Sequence, residues 1–159
     1  MHGQISQDVV VEVPAAEVWD VFRGLELGNI INKLLQDVMG TVEVVQGDGG
    51  PGTILKVTFP PGTPGVGYMK EIFTKVDDEI RLKETEMIEG GYKAIGFDLY
   101  RSSFQIIEKD GESCIVRTTV EYEIDDKLQR RASKLTTKTM EMLAEVAGKY
   151  IKENRCPTK

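Results

Sequence analysis

Gly47-Asp48-Gly49-Gly50-Pro51-Gly52-Thr53 is a turn cluster set between two β-patterned stretches. Before it come Val42, Val44 and Val45; after it Leu55, Val57 and Phe59 alternate with Lys56 and Thr58, the period of a half-buried strand. Backbone amides in glycine-rich turns can cradle phosphates. This one lacks the Gly-Lys-Ser/Thr ending of a nucleotide loop and joins strand to strand, so it reads as a structural hairpin.

Outward from that hairpin, Pro60-Pro61-Gly62-Thr63-Pro64-Gly65 makes a second turn. Strand-like stretches follow near Tyr68 to Val76, Arg81 to Ile88, Tyr92 to Ile107 and Ser113 to Ile124, an antiparallel meander. Upstream, Ile5, Val9, Val10, Val11 and Val13 form a first strand that stops at Pro14. Val18, Trp19 and Phe22 then fall at helical spacing, Gly24 supplies a stop, and a second short apolar segment runs from Leu25 to Leu35. From Asp125 the period changes. Leu128, Ala132, Leu135, Thr139, Met142, Leu143, Val146, Tyr150 and Ile151 recur three to four apart, which predicts one long amphipathic helix. Its small, Met and Thr inner face fits either the wall of a cavity or a helix packed on the sheet with Met filling gaps. The fold class is therefore α+β.

The 159 residues fit one domain spanning 1–159, with the tail from Asn154 to Lys159 expected to fray. With 40% hydrophobic and 29% charged residues the chain has globular composition, which excludes wholesale disorder and a collagen-like repeat. A net charge of -6 repels a phosphate backbone, so no nucleic-acid partner is expected. Cys114 and Cys156 lie in unrelated contexts and the single histidine is His2, so neither a metal site nor a His-based triad is implied. Met1-His2-Gly3-Gln4 lacks the regions of a signal peptide, and no apolar run approaches a membrane span. A cytoplasmic protein with no membrane partner, monomeric or weakly dimeric, is the expectation.

Several stretches carry a family likeness: Gly52-Thr53-Ile54-Leu55, Thr58-Phe59-Pro60-Pro61-Gly62, Lys70-Glu71-Ile72-Phe73, Val76-Asp77-Asp78-Glu79 and Met87-Ile88-Glu89-Gly90-Gly91-Tyr92. With the order strand, two short helices, six strands, long helix, they resemble the plant pathogenesis-related class ten (birch pollen allergen) superfamily, and within it the norcoclaurine synthase-like members. The resemblance spans nearly the whole chain. It implies a helix-grip, START-like fold: a seven-stranded antiparallel sheet around the long helix, two short helices closing one end, and an apolar cavity between.

The resemblance also implies a chemistry, the Pictet-Spengler condensation of an aromatic ethylamine such as dopamine with an aldehyde, with no cofactor. An iminium forms and the electron-rich ring attacks it. It assigns the proton-handling roles to Glu71 and Lys83. Burial raises a carboxyl pKa and lowers an amine pKa, so such a pair can shuttle protons near neutral pH. Strand parity tests the assignment, since both groups must point to one face. A two-residue turn at Asp77 would pair Val76 with Glu79 and separate the two residues. A three-residue turn of Asp77, Asp78 and Glu79 would pair Val76 with Ile80 and unite them, and the lack of an Asn-Gly or Asp-Gly pair favours it. Without the resemblance, a solvated sheet face is the default for both.

Two family positions differ. The tyrosine expected two residues before the glutamate is Met69, with Tyr68 beside it on the opposite parity, and the aspartate expected in the next strand is Ser102. Met69 donates no hydrogen bond and Ser102 is no base near neutral pH. Phe73, Tyr100, Leu135, Thr139 and Met142 complete the candidate substrate-binding set. Tyr100 could hydrogen-bond a phenolic ligand, and Arg101 should point outward if Ser102 points inward. Asp98 shares their parity and belongs at a rim, since a carboxylate among apolar groups needs a partner. Two functions fit the scaffold: a condensing enzyme of alkaloid metabolism, or a carrier or storage protein for apolar plant metabolites or hormones. A nuclease is disfavoured by the acidic chain.

Overall fold

The β-branched run of the first strand pairs as β1 (His2–Val11), and Pro14 opens α1 (Ala15–Phe22), its carbonyl accepting from the Glu17 and Val18 amides. In this computed structural model, which describes residues 1–154, α1 buries Val18, Trp19 and Phe22. After the stop at Gly24, α2 (Glu26–Ile30) runs through a π-turn over Ile31–Leu35 into α3 (Gln36–Met39), burying Leu27, Ile30, Ile31 and Leu35. Gly40 ends the run at φ 94°, and a Cβ there would sit 1.9 Å from the Thr58 carbonyl oxygen, so only glycine fits this crossing.

The remaining strands are β2 (Thr41–Gln46), β3 (Ile54–Thr58), β4 (Tyr68–Asp77), β5 (Leu82–Gly90), β6 (Phe97–Asp110) and β7 (Ser113–Ile124). They form one seven-stranded antiparallel sheet in the order β1-β7-β6-β5-β4-β3-β2. The glycine cluster joins β2 to β3, with the Gly49 amide donating to Thr53 Oγ1 at 2.8 Å. The stretch from Tyr92 that reads as strand in sequence begins instead with a 3-10 turn, Lys93–Ile95, closed by Gly96 at φ 106°. The extended chain starts at Phe97.

The continuous helix expected from Asp125 is divided. Asp126–Lys134 forms a 3-10 helix, Leu135 is extended, and α4 covers Lys138–Glu153. The cause is local: Thr136 Oγ1 accepts from the Lys138 amide at 3.1 Å, a side-chain bond that competes with helix, and two β-branched threonines adjoin there. Helix α4 buries Leu143 and packs Val146, Tyr150 and Ile151 on the core as their spacing predicts. Its buried stripe is Leu143, Ala144, Ala147 and Gly148. At Gly148 a Cβ would lie 2.4 Å from Val11 Cγ1, so the missing side chain lets α4 settle onto β1.

The inner face of the sheet holds two apolar clusters. One gathers α1, α2 and α4 on Val11, Ile106, Cys114 and Val116, and Phe22 meets Phe104 edge-on with centroids 5.1 Å apart. The other centres on Met87, Tyr100 and Val120, with Ile5, Met69, Tyr92, Leu135 and Met140 against them. Among the described residues no helix is long and apolar enough to cross a membrane. Cys156 and the end of the tail, 155–159, lie outside the described residues.

Candidate functional site

Lys83 sits in β5 with Thr85 and Met87 on the same side of the strand, and all three are buried. Its pairing partner is Val76, across a turn longer than either considered from sequence: Asp77 pairs with Leu82, leaving Asp78, Glu79, Ile80 and Arg81 as the turn. Taken alone, that register would put Glu71 on the opposite face. A bulge at Thr74 changes it: Lys75 pairs with Glu84 and Phe73 with Thr85, so one residue of β4 is skipped and Glu71 comes opposite Met87. Paired residues share a face, so Glu71, Phe73 and Lys83 all point inward.

The Lys83 side chain is enclosed, with 4% of the residue exposed. Its Nζ donates to the carbonyl of Gly24 at 3.2 Å and lies 3.9 Å from the centroid of the Phe73 ring. Burial pushes the amine down to about 8, opposed by attraction to Glu71. Burial likewise raises the Glu71 carboxyl, opposed by the charge of Lys83 and by a hydrogen bond from Thr85. An amine shifted down and a carboxyl shifted up on one inner face are the elements of an acid-base pair near neutral pH.

Ser102 pairs with Thr85 on one side and with fully buried Val120 on the other, so it too faces inward. Tyr100 lies two residues away and stacks on Tyr92, with centroids 4.5 Å apart and 19° between planes. Desolvation raises its phenol well above the ordinary range, with the Tyr92 phenol and the Glu71 carboxylate adding to it. A phenol so placed stays protonated and can donate. Arg101 points to the outer face, where its guanidinium reaches Glu86 and Glu121 at 2.9 Å. Asp98 falls at a bulge between Phe97 and Leu99 and is exposed, its backbone carbonyl accepting from Lys93.

Met69 faces inward against the Met87–Tyr100 cluster, whereas Tyr68 lies on the outer face and its hydroxyl donates to Glu89 at 2.7 Å. Leu135 joins the same cluster. Thr139 and Met142 do not: both are exposed, outside the face of α4 that buries Leu143, Ala144, Ala147 and Gly148. Met140 takes the place that was expected of them. Met69, Glu71, Ser102, Leu135 and Met140 keep partial exposure although they face inward, while Lys83 and Phe73 are sealed.

Sequence reasoning did not single out Thr85, Tyr92 or Met140. Thr85 was within reach of parity, lying midway between Lys83 and Met87. The sequence pattern starts a strand at Tyr92, whereas Tyr92 precedes a 3-10 turn and its ring stacks on Tyr100.

The pathogenesis-related protein Bet v 1 family matches residues 1–153. This chain belongs to the Bet v 1 family. Among its relatives, norbelladine synthase of Narcissus pseudonarcissus is 39% identical over 98% of this chain and 97% of its own length. S-norcoclaurine synthase 2 of Papaver somniferum is 35% identical over 96% of this chain, which spans 66% of that protein. Norcoclaurine synthase from Thalictrum flavum, solved in complex with dopamine and hydroxybenzaldehyde, superposes with a TM-score of 0.88 at 30% identity, covering 99% of this chain and 90% of that one. The fold expected of a Bet v 1 member, a seven-stranded sheet with a C-terminal helix and short helices, is the one found.

Proposed function

We propose that this Bet v 1 member condenses an aromatic ethylamine with an aldehyde in a norcoclaurine synthase-like Pictet-Spengler reaction of alkaloid biosynthesis. The observation that carries it is the inward pair of Lys83 and Glu71, with opposite pKa shifts on one face of the sheet. Relatives named as norcoclaurine and norbelladine synthases, and a neighbour solved with dopamine and an aldehyde, support the substrate class.

In this reading the amine attacks the aldehyde carbon, and Lys83 gives a proton to the carbinolamine oxygen so that water leaves and the iminium forms. The ring carbon attacks the iminium carbon, and Glu71 takes the ring proton that must depart to restore aromaticity. Tyr100 holds a phenolic oxygen of the substrate, Phe73 shapes the sealed part beside Lys83, and Met69, Ser102 and Leu135 line the approach. Met69 and Ser102 provide neither a phenol nor a second carboxylate there, so the burden of proton transfer falls on Glu71 and Lys83. The chain acts as one domain, without cofactor, in the cytoplasm, as a monomer or weak dimer.

A chiral product assay with dopamine and a set of arylacetaldehydes tests this, run beside buffer, boiled protein and the Lys83→Ala variant. The uncatalysed condensation gives racemate. Enantiomeric excess lost in Lys83→Ala supports the synthase; racemate at the buffer rate, with amine or aldehyde still bound, assigns the chain to carriage of apolar metabolites.

A further inference from the structure

A set of contacts behind Lys83 plays no part in the condensation itself. Asp78, in the turn between β4 and β5, accepts from the Trp19 indole N–H at 2.9 Å and from Arg23 Nε and Nη2 at 2.9 and 3.0 Å. The turn is fixed in its own right, since Asp77 Oδ1 accepts from the amides of Glu79 and Ile80. Trp19 and Arg23 lie four apart on one side of α1, and the Arg23 amide closes the helix on the Trp19 carbonyl at 2.9 Å. The next residue is Gly24, whose carbonyl receives the Lys83 ammonium.

Gly24 has no side chain of its own to anchor it, and the space where its Cβ would stand is open. Its carbonyl is aimed by its neighbours. On one side is the Asp78 clamp; on the other is the glycine loop, where a Cβ on Gly49 would lie 3.4 Å from Gly24 Cα. The Asp78 and Arg23 side chains are 61% and 45% exposed, a setting in which an ion pair adds little to global stability. A bidentate carboxylate that also takes a tryptophan N–H is better explained by where it holds the end of α1.

We propose that Asp78 is a positioning residue: by clamping Trp19 and Arg23 to the β4–β5 turn, it fixes the Gly24 carbonyl as the acceptor that holds the Lys83 ammonium beside the Phe73 ring. The inference rests on reading Lys83 as the proton-handling amine of the condensation. A carbonyl acceptor favours the charged amine, so releasing Gly24 moves the Lys83 titration to lower pH, by about one unit for a charge-assisted hydrogen bond. The groups facing Lys83 are Glu71 and the Phe73 ring from β4 and the Phe104 ring from β6, with the Tyr100 phenol further along β6. Asp20 of α1 and Arg23, just past its end, are both exposed.

The test is an NMR titration of Lys83 in protein carrying lysine labelled with carbon-13 at Cε, assigned by its loss in Lys83→Ala. The double variant Arg23→Gln/Asp78→Asn removes the ion pair without changing net charge, so any shift reports geometry rather than a lost charge. The expected result is a Lys83 midpoint about one pH unit below wild type, with the alkaline limb of kcat/KM moving by the same amount. A midpoint at the wild-type value overturns the proposal, whether or not turnover falls. Should the double variant not fold, Arg23→Gln alone is titrated under the same criterion. Because the titration needs no turnover, a wild-type protein that makes no product sinks the proposed function and leaves this result readable.

Discussion

Glu71 and Lys83 share the inner face of the sheet because one residue of β4 between them, Thr74, has no partner in β5. The four-residue turn at Asp78 to Arg81 and the bulge each invert parity, and together they restore it. The bulged residue is exposed, its hydroxyl directed to the Glu84 carboxylate at 2.7 Å.

Deleting Thr74 removes the second inversion. Either Val76 or the pair Phe73 and Glu71 must then turn outward, and exposing Phe73, which is 1% exposed, costs about 1.5–3 kcal/mol. Replacing Thr74 by Ala keeps the bulge and costs under about 1 kcal/mol. Urea unfolding of both variants checks the contrast, and equal stability of the two would show that β4 re-registers freely.

The amine of Lys83 is held at about 8 rather than its ordinary 10.5, which fixes a pH signature. Its folded pKa lies below its unfolded one, so the unfolded state binds more protons between about pH 8 and 10.5, and stability rises with pH in that window. Below it the full penalty applies, on the order of 3 kcal/mol. Lys83→Met removes the titrating group while filling the same space. It is expected to be more stable than wild type at pH 7, with the difference closing toward pH 10.5, in denaturant titrations at the two pH values.

Attraction to Glu71 opposes the depression of Lys83, so Glu71→Gln should move the Lys83 midpoint below about 8. The same change removes the group that takes the ring proton, and product formation should fall by about 10²-fold or more, the usual worth of a positioned acid or base. Folding should be unharmed, because the carboxylate, which keeps partial exposure, is replaced by a neutral group of its own shape. A Lys83 midpoint unmoved by this substitution would mean that the two groups do not sense each other.

The strands, the hairpin at Gly47 to Thr53 and the first helix were legible because each rests on local signals: alternation, turn residues and Pro14. The likeness to a family supplied Glu71 and Lys83, which periodicity alone would have left on a solvated face. Parity united them for a reason that did not survive, since the turn is longer than expected and a bulge with no mark in sequence compensates. The C-terminal segment failed differently. Leu128, Ala132 and Leu135 fit the spacing of the helix that follows, but the bond at Thr136 interrupts the helix there, while Leu143, Val146, Tyr150 and Ile151 beyond it pack on the core as their spacing predicts. The buried face passes through Met140 and Leu143, so Thr139 and Met142 fall outside it.

The phase of α4 can be tested where it meets the sheet. Gly148 lies against Val11, itself held by pairing to Cys114, and an added Cβ would come 2.4 Å from Val11 Cγ1. Gly148→Ala gains about 1 kcal/mol of helix propensity and loses about 1–3 kcal/mol to overpacking. Contact with an immobile β-branched side chain should let the loss win, so the variant should be less stable by up to about 2 kcal/mol. Val11→Ala alone leaves a gap and is also destabilising. The double variant fills that gap with the new methyl, so the two effects should not add, and a coupling of at least about 0.5 kcal/mol in a four-way urea cycle is the expected outcome. Simple additivity would place Gly148 away from Val11 and require another seat for α4 on β1.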